Sequence, residues 1–343
     1  MKRTISRIII KILSIYCIFY VMFFVLAYEV GRFDQKYERG VIPDAIITNE
    51  SNIKENLKER KKLKIVENIN TNKDLIRENY KNYKIVESIV NSSIKNQHGI
   101  GDDIQYDEKT LESICKSYKT ICGLTYFYGY IEPKDKLKYQ AIIIYIITKL
   151  NTFLKYDSDI IDVLNSITIK ISGEGLRGYA GAHTVTINLI GIKSYGEFRE
   201  VLTHELGHIV DLGIMKGKSK SLHNRFTEFG YPTFSIDDPS LKFYSYSREN
   251  EKTKLKTMEF KDFVSGYGMS DPFEDFAESF NLYLNHKGVF KKMSESSYIL
   301  SQKYLYIEKI LSGNSFFTKT KGLDKINKDS LWRPWDTTKI INK

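Results

Sequence analysis

The pentapeptide His204-Glu205-Leu206-Gly207-His208 constrains this chain more than any other part of it. At 3.6 residues per turn, an α-helix carries His204 and His208 on one face, so both imidazoles can reach one tetrahedral ion. Glu205 is turned away by about 100°, where a carboxylate reaches a water beside such an ion and not the ion itself. Ser194 and Glu197 have the spacing of a capping box. The helix is therefore expected to open after Ser194 and to run to about Leu212, with Gly213 as its stop. Phe198, Leu202, Leu206 and Ile209 form a separate apolar face for burial against a sheet. Two histidines cut into a helix with one buried side need partners.

A second helix can supply one. Asp271 and Pro272 read as N-cap and first helical residue. In the helix they open, Glu274, Glu278 and Asn281 fall within about 60° of one another. Phe273, Phe276, Ala277, Phe280 and Leu284 make the opposite, apolar stripe. A carboxylate from the polar side completes a two-histidine, one-carboxylate zinc set, which leaves a fourth position for water.

The residues before these helices suggest a small sheet. Ile142 to Leu154 is strongly apolar and reads as a buried helix, and Ile160 to Leu164 continues helical. Ile167 to Ile171 and Thr184 to Leu189 alternate as strands do, the second reached through Gly178-Tyr179-Ala180-Gly181. Tyr126, Tyr128 and Tyr130 also alternate, with packing as their expected role. Helix, strand, strand and long helix give an α+β order.

The N-terminus carries an export signal. Lys2, Arg3, Arg7 and Lys11 precede a charge-free run from Ile12 to Tyr28. Val25 and Ala27 offer small residues for cleavage after Ala27, while an uncleaved segment (residues 8–28) would anchor the chain in the membrane. Either way the rest is expected outside the cell. Residues 29–99 are rich in Lys, Asn, Glu and Ile and are expected to form a charged, helical spacer. His98 to Asp103 marks the boundary to a domain spanning 100–343. Of the formal +10 charge, four units sit in the first 27 residues, leaving +6 on 316. That is too mild and scattered for a nucleic-acid partner. Three cysteines exclude a disulfide scaffold or a Cys-type zinc module. Cys115 and Cys122 would stand roughly 10 Å apart in one straight helix and can pair only if a turn intervenes. His183 is a turn residue or a subsite residue; His98, His223 and His286 read as surface histidines, and Trp332 and Trp335 as packing residues.

HELGH followed by Tyr267, Glu274, Phe276-Ala277 and Glu278 resembles the zinc metallopeptidase family of the anthrax lethal factor catalytic domain and the secreted Pro-Pro endopeptidases of Gram-positive bacteria. The resemblance covers about 140–290. It implies a zincin-like fold and a secreted, one-zinc endopeptidase acting on extended protein substrates. By that likeness His204, His208 and Glu274 hold the metal, Glu205 is the general base, and Tyr267 faces the site. Glu278 would hold a ligand histidine through its free ring N–H, with Asp211, one turn beyond His208, in a similar role. The strand Thr184–Leu189 takes the place of the family's substrate-aligning edge strand. The same fold without its zinc residues serves as a protein-binding module, which is the alternative reading.

Overall fold

An apolar run too long for a strand builds the first wall of the core. In the computed structural model, which describes residues 84–85, 87–88, 108–172, 175–217, 225–226, 234–316 and 322–342, this run lies in helix α3 (Pro133–Phe153). Pro133 stands in its first turn, so α3 begins nine residues before the apolar periodicity does, through a polar stretch that the pattern could not mark. Two short helices precede it, α1 (Glu108–Ser117) and α2 (Lys119–Gly123). The chain breaks direction between them at Tyr118, bringing the Cα atoms of Cys115 and Cys122 to 5.8 Å, and the two form a disulfide. The export segment, most of the spacer, its boundary at 98–103, His98 and His223 lie outside the described residues. Among the described residues no helix is long and apolar enough to cross a membrane.

The main sheet has four strands: β1 (Thr125–Tyr128), β2 (Ser166–Lys170), β3 (Gly178–Ala180) and β4 (Thr184–Asn188). The one-turn helix α4 (Ile160–Val163) leads into β2. Their spatial order is β1-β2-β4-β3, parallel except for antiparallel β3. The strand expected at the edge, Thr184–Leu189, is thus interior. β3 is the edge, and Leu189 belongs to a short 3-10 turn. Ile167, Ile169, Val185 and Ile187 turn inward to the helices, while Tyr126 and Tyr128 of the far edge are exposed.

Helix α5 (Tyr195–Ile209) opens at Ser194, whose hydroxyl accepts from the Glu197 N–H at 3.1 Å. Glu197 reaches back to the Lys193 N–H instead of the Ser194 N–H. All fifteen residues of α5 are buried, so the helix has no solvent face. A π-helical turn, Val210–Ile214, extends it past the expected stop, with the Met215 N–H bonded to the Val210 carbonyl; Gly213 sits inside that turn.

The polar side of α5 is covered by later elements. After the hairpin β5 (Arg225–Phe226) and β6 (Phe234–Ser235) and helix α6 (Pro239–Tyr244) comes helix α7 (Pro272–Ser294). Asp271 caps α7 by accepting from the Phe273 and Glu274 N–H groups. α7 runs antiparallel across α5, changing direction at His286. Helices α8 (Tyr298–Ile310) and α9 (Leu323–Lys328) follow, and a last 3-10 turn, Thr337–Asn342, returns to α5.

Candidate metal centre

Crossing α5 with α7 brings His204, His208 and Glu274 together. One ligand atom from each lies within 4.8 Å of the others. His204 Nε2 stands 3.0 Å and His208 Nε2 3.6 Å from Glu274 Oε2. Two donors each about 2.0–2.1 Å from one tetrahedral ion stand about 3.3 Å apart, so the observed spacings bracket what zinc requires. The two imidazoles and the carboxylate have the donor chemistry as well.

The electrostatics fit a site short of one cation. Burial disfavours charge on His204, but its bonds to Glu274 and Glu278 and the charges of Glu274 and Glu205 hold its pKa well above the ordinary value. His208 is raised in the same way, against burial, chiefly by Glu274. Burial pushes the Glu274 carboxyl up, and the two histidines more than reverse this, leaving it far below the carboxylate range.

Glu205 occupies the position its spacing demands. It is buried beside the cluster, and its Oε2 has no hydrogen-bond partner among the described residues. Burial is the main reason its pKa rises to about 7, with the nearby histidine charges opposing the rise. The backbone of β3 passes directly against it: a Cβ on Gly178 would stand 2.3 Å from Glu205 Oε1. No signal in the sequence marked Gly178 for this approach, because it depends on which strand lies at the edge.

Tyr267, in a 3-10 turn (Tyr267–Met269), lies where the Tyr-x6-Glu spacing puts it. Its hydroxyl donates to Glu274 Oε1 at 3.0 Å and its ring stacks near His204, with centroids 6.1 Å apart. Glu278 is fully buried with Oε1 2.9 Å from His204 Nδ1. A carboxylate that close favours a proton on Nδ1, while Nε2 faces Glu274.

Other expectations change. Asp211 is fully buried, but its carboxylate accepts from the Tyr244 hydroxyl, and no hydrogen bond joins it to His208 among the described residues. Burial raises its pKa to about 7. His286 is a core residue, not a surface one: its Nε2 lies 3.1 Å from Glu200 Oε1, and both side chains are buried. The polar neighbours Asn285 and Lys287 hid this. His183 is held by the Val163 carbonyl, 3.0 Å from its Nδ1. Trp332 packs on the core as expected, whereas Trp335 is 72% exposed.

Two supports were not foreseen. Lys303 of α8 is fully buried and donates to Asp275 Oδ2 at 2.6 Å, immediately beside Glu274. The Thr337 N–H donates to Glu278 Oε2 at 2.8 Å, from far outside the region of family likeness. No protein-family signature, no curated protein and no solved structure matches the chain.

Proposed function

We propose that this chain is an exported, zinc-dependent endopeptidase that hydrolyses peptide bonds in protein substrates. One juxtaposition carries the reading: His204, His208 and the half-buried Glu274 bring one ligand atom each within 4.8 Å of one another, with the free carboxylate oxygen of Glu205 beside them. A zinc ion held there supplies a Lewis acid for the scissile carbonyl and lowers the pKa of a water towards ~7.

The chain's own residues account for the remaining work. Glu205 accepts the proton of the attacking water and returns it to the leaving amine. The Tyr267 hydroxyl, released from Glu274, serves as a donor to the developing oxyanion, a contact typically worth roughly 3–4 kcal/mol. The substrate lies extended along the free edge of β3, which takes the place first given to Thr184–Leu189. Gly178 keeps that edge close to the base.

The Tyr267–Glu274 spacing and the HELGH helix support a place among the lethal-factor-like zincin peptidases. The export signal, cleaved or retained as an anchor, and the Cys115–Cys122 disulfide support an extracellular location.

The test uses residues 29–343 on a combinatorial peptide library, with and without a chelator, beside a Glu205→Ala variant. The wild type should hold one zinc per chain and cleave until the metal is removed. The variant should keep its zinc and its circular dichroism but lose activity. Turnover within about tenfold of wild type in the variant would remove Glu205 from the base role.

A further inference from the structure

We infer that residues 334–338 form a strap that positions the metal centre, with Thr337 and Asp336 as its positioning residues. The inference rests on the zinc reading above. It concerns a part of the chain that, among the described residues, makes no hydrogen bond to His204, His208 or Glu274.

The strap is pinned at its start by Arg333, a buried cation that donates to the Phe263 carbonyl at 2.9 Å and to the Lys261 carbonyl at 2.9 Å. From there it runs beside the backbone that carries Tyr267. The Gly266 N–H donates to the Pro334 carbonyl at 3.0 Å, and the Tyr267 N–H to the Trp335 carbonyl at 2.7 Å. The next residue turns towards the sheet edge. Asp336 pairs with Arg177, which also donates to Thr338 Oγ1 at 2.8 Å and to Glu197 Oε1 at 2.6 Å. Arg177 immediately precedes Gly178, the residue of β3 that faces Glu205. The strap then closes on α7: the Thr337 N–H reaches Glu278 Oε2, and Thr337 Oγ1 accepts from Asn281 Nδ2 at 3.0 Å.

Three working parts of the centre therefore share one support. Tyr267 takes its backbone register from residue 335, β3 is tied through Arg177, and His204 is held through Glu278. The Glu278 link is the most demanding. Its carboxylate is wholly buried, with one oxygen 2.9 Å from His204 Nδ1 and the other accepting from the Thr337 amide. Without that amide, one oxygen of a buried carboxylate loses its donor, and the carboxylate no longer has one fixed orientation towards the imidazole. The metal face of His204 then loses its preset aim.

Thr337→Pro removes the amide N–H at the first position of a 3-10 turn, where proline is accepted. Thr337→Val keeps the amide and removes only the hydroxyl. Asp336→Ala removes the anchor to Arg177 and leaves the amide in place. Zinc affinity of each full-length protein is read by chelator competition, with cobalt absorption spectra for ligand geometry and circular dichroism for the fold. Thr337→Pro should bind zinc roughly tenfold or more weakly and shift the cobalt spectrum, while Thr337→Val stays within about twofold of wild type. Thr337→Val should nevertheless melt earlier, because it leaves the buried Asn281 amide short of a partner. Asp336→Ala should weaken zinc in the same direction as Thr337→Pro, and it decides the matter if Thr337→Pro does not fold. Wild-type zinc affinity in Asp336→Ala, and in Thr337→Pro where it folds, overturns the strap while leaving the metal reading intact. A wild type that binds no zinc overturns the metal reading, and the strap with it.

Discussion

Gly178→Ala separates the placement of the base from the binding of the metal. A methyl group there would stand 2.3 Å from Glu205 Oε1, 2.9 Å from its Cδ and 2.8 Å from Val201 Cγ1. Non-bonded heavy atoms rest at about 3.5 Å or more, so the carboxylate or the strand must yield by about 1 Å. The backbone itself is no obstacle, since Gly178 is not among the glycines with positive φ. Overpacking of this size typically costs ~1–3 kcal/mol of stability, which the fold should survive. Catalysis is less tolerant: a misplacement of about 1 Å can cost ~10²-fold in rate. The contacts fall on Glu205 and Val201 and on none of the three ligands, so zinc should remain near one per chain. The assay compares kcat on a cleaved peptide, zinc content and melting temperature. A variant with wild-type kcat and an unchanged melting temperature would refute the argument, because β3 could not then press on Glu205.

Tyr267→Phe keeps the ring and removes the hydroxyl; kcat should fall ~10²-fold with KM little altered if that hydroxyl meets the oxyanion. Loss of zinc from this variant would instead assign the hydroxyl to holding Glu274, its partner in the resting site. Lys303→Met leaves the Asp275 carboxylate buried without its cation and should cost about 3–5 kcal/mol, read by denaturant unfolding. Cys115 and Cys122 should resist alkylation until reduced, and reduction should cost about 2–3 kcal/mol for so short a loop; a melting curve unmoved by reductant would count against the bond.

Much of the centre was legible because it is written in local periodicity. One-turn spacing fixed His204 and His208, the caps at Ser194 and Asp271 fixed where both helices open, and Tyr267 and Glu274 stand in contact at the separation the sequence shows. Periodicity reports which residues share a face, and it is silent on what covers that face. Hence the polar face of α5 was legible but not the α7 and C-terminal turn that bury it, and His286 was expected outside although it meets Glu200. Strand order depends on pairing between distant segments, so the edge fell on β3 instead of Thr184–Leu189. The strap was hidden for the same reason. Arg177 meets Asp336 across 159 residues, and neither residue has an unusual neighbourhood in the sequence.

The fourth residue of the motif lies where the two helices that carry the candidate ligands cross. Along α5 the contacts run Glu200, His204, Gly207, His208; along α7 their partners run in the reverse direction as His286, Glu278, Ala277, Glu274. The helices come close at Gly207, where a Cβ would stand 3.1 Å from the Ala277 Cα and 3.3 Å from the Phe280 ring. The nearest of these atoms is backbone, so even a methyl group at 207 asks the helices to give by a few tenths of an ångström, and a larger side chain would press them apart. Parting them would lengthen the His204–Glu278, His204–Glu274 and His208–Glu274 distances together, since all three pairs span the same crossing. The contact between two small residues thus lets the candidate ligands of the two helices approach, and the buried Glu200–His286 pair continues the crossing where α7 bends. A helix that only displayed two histidines to solvent would need neither the glycine nor the pair.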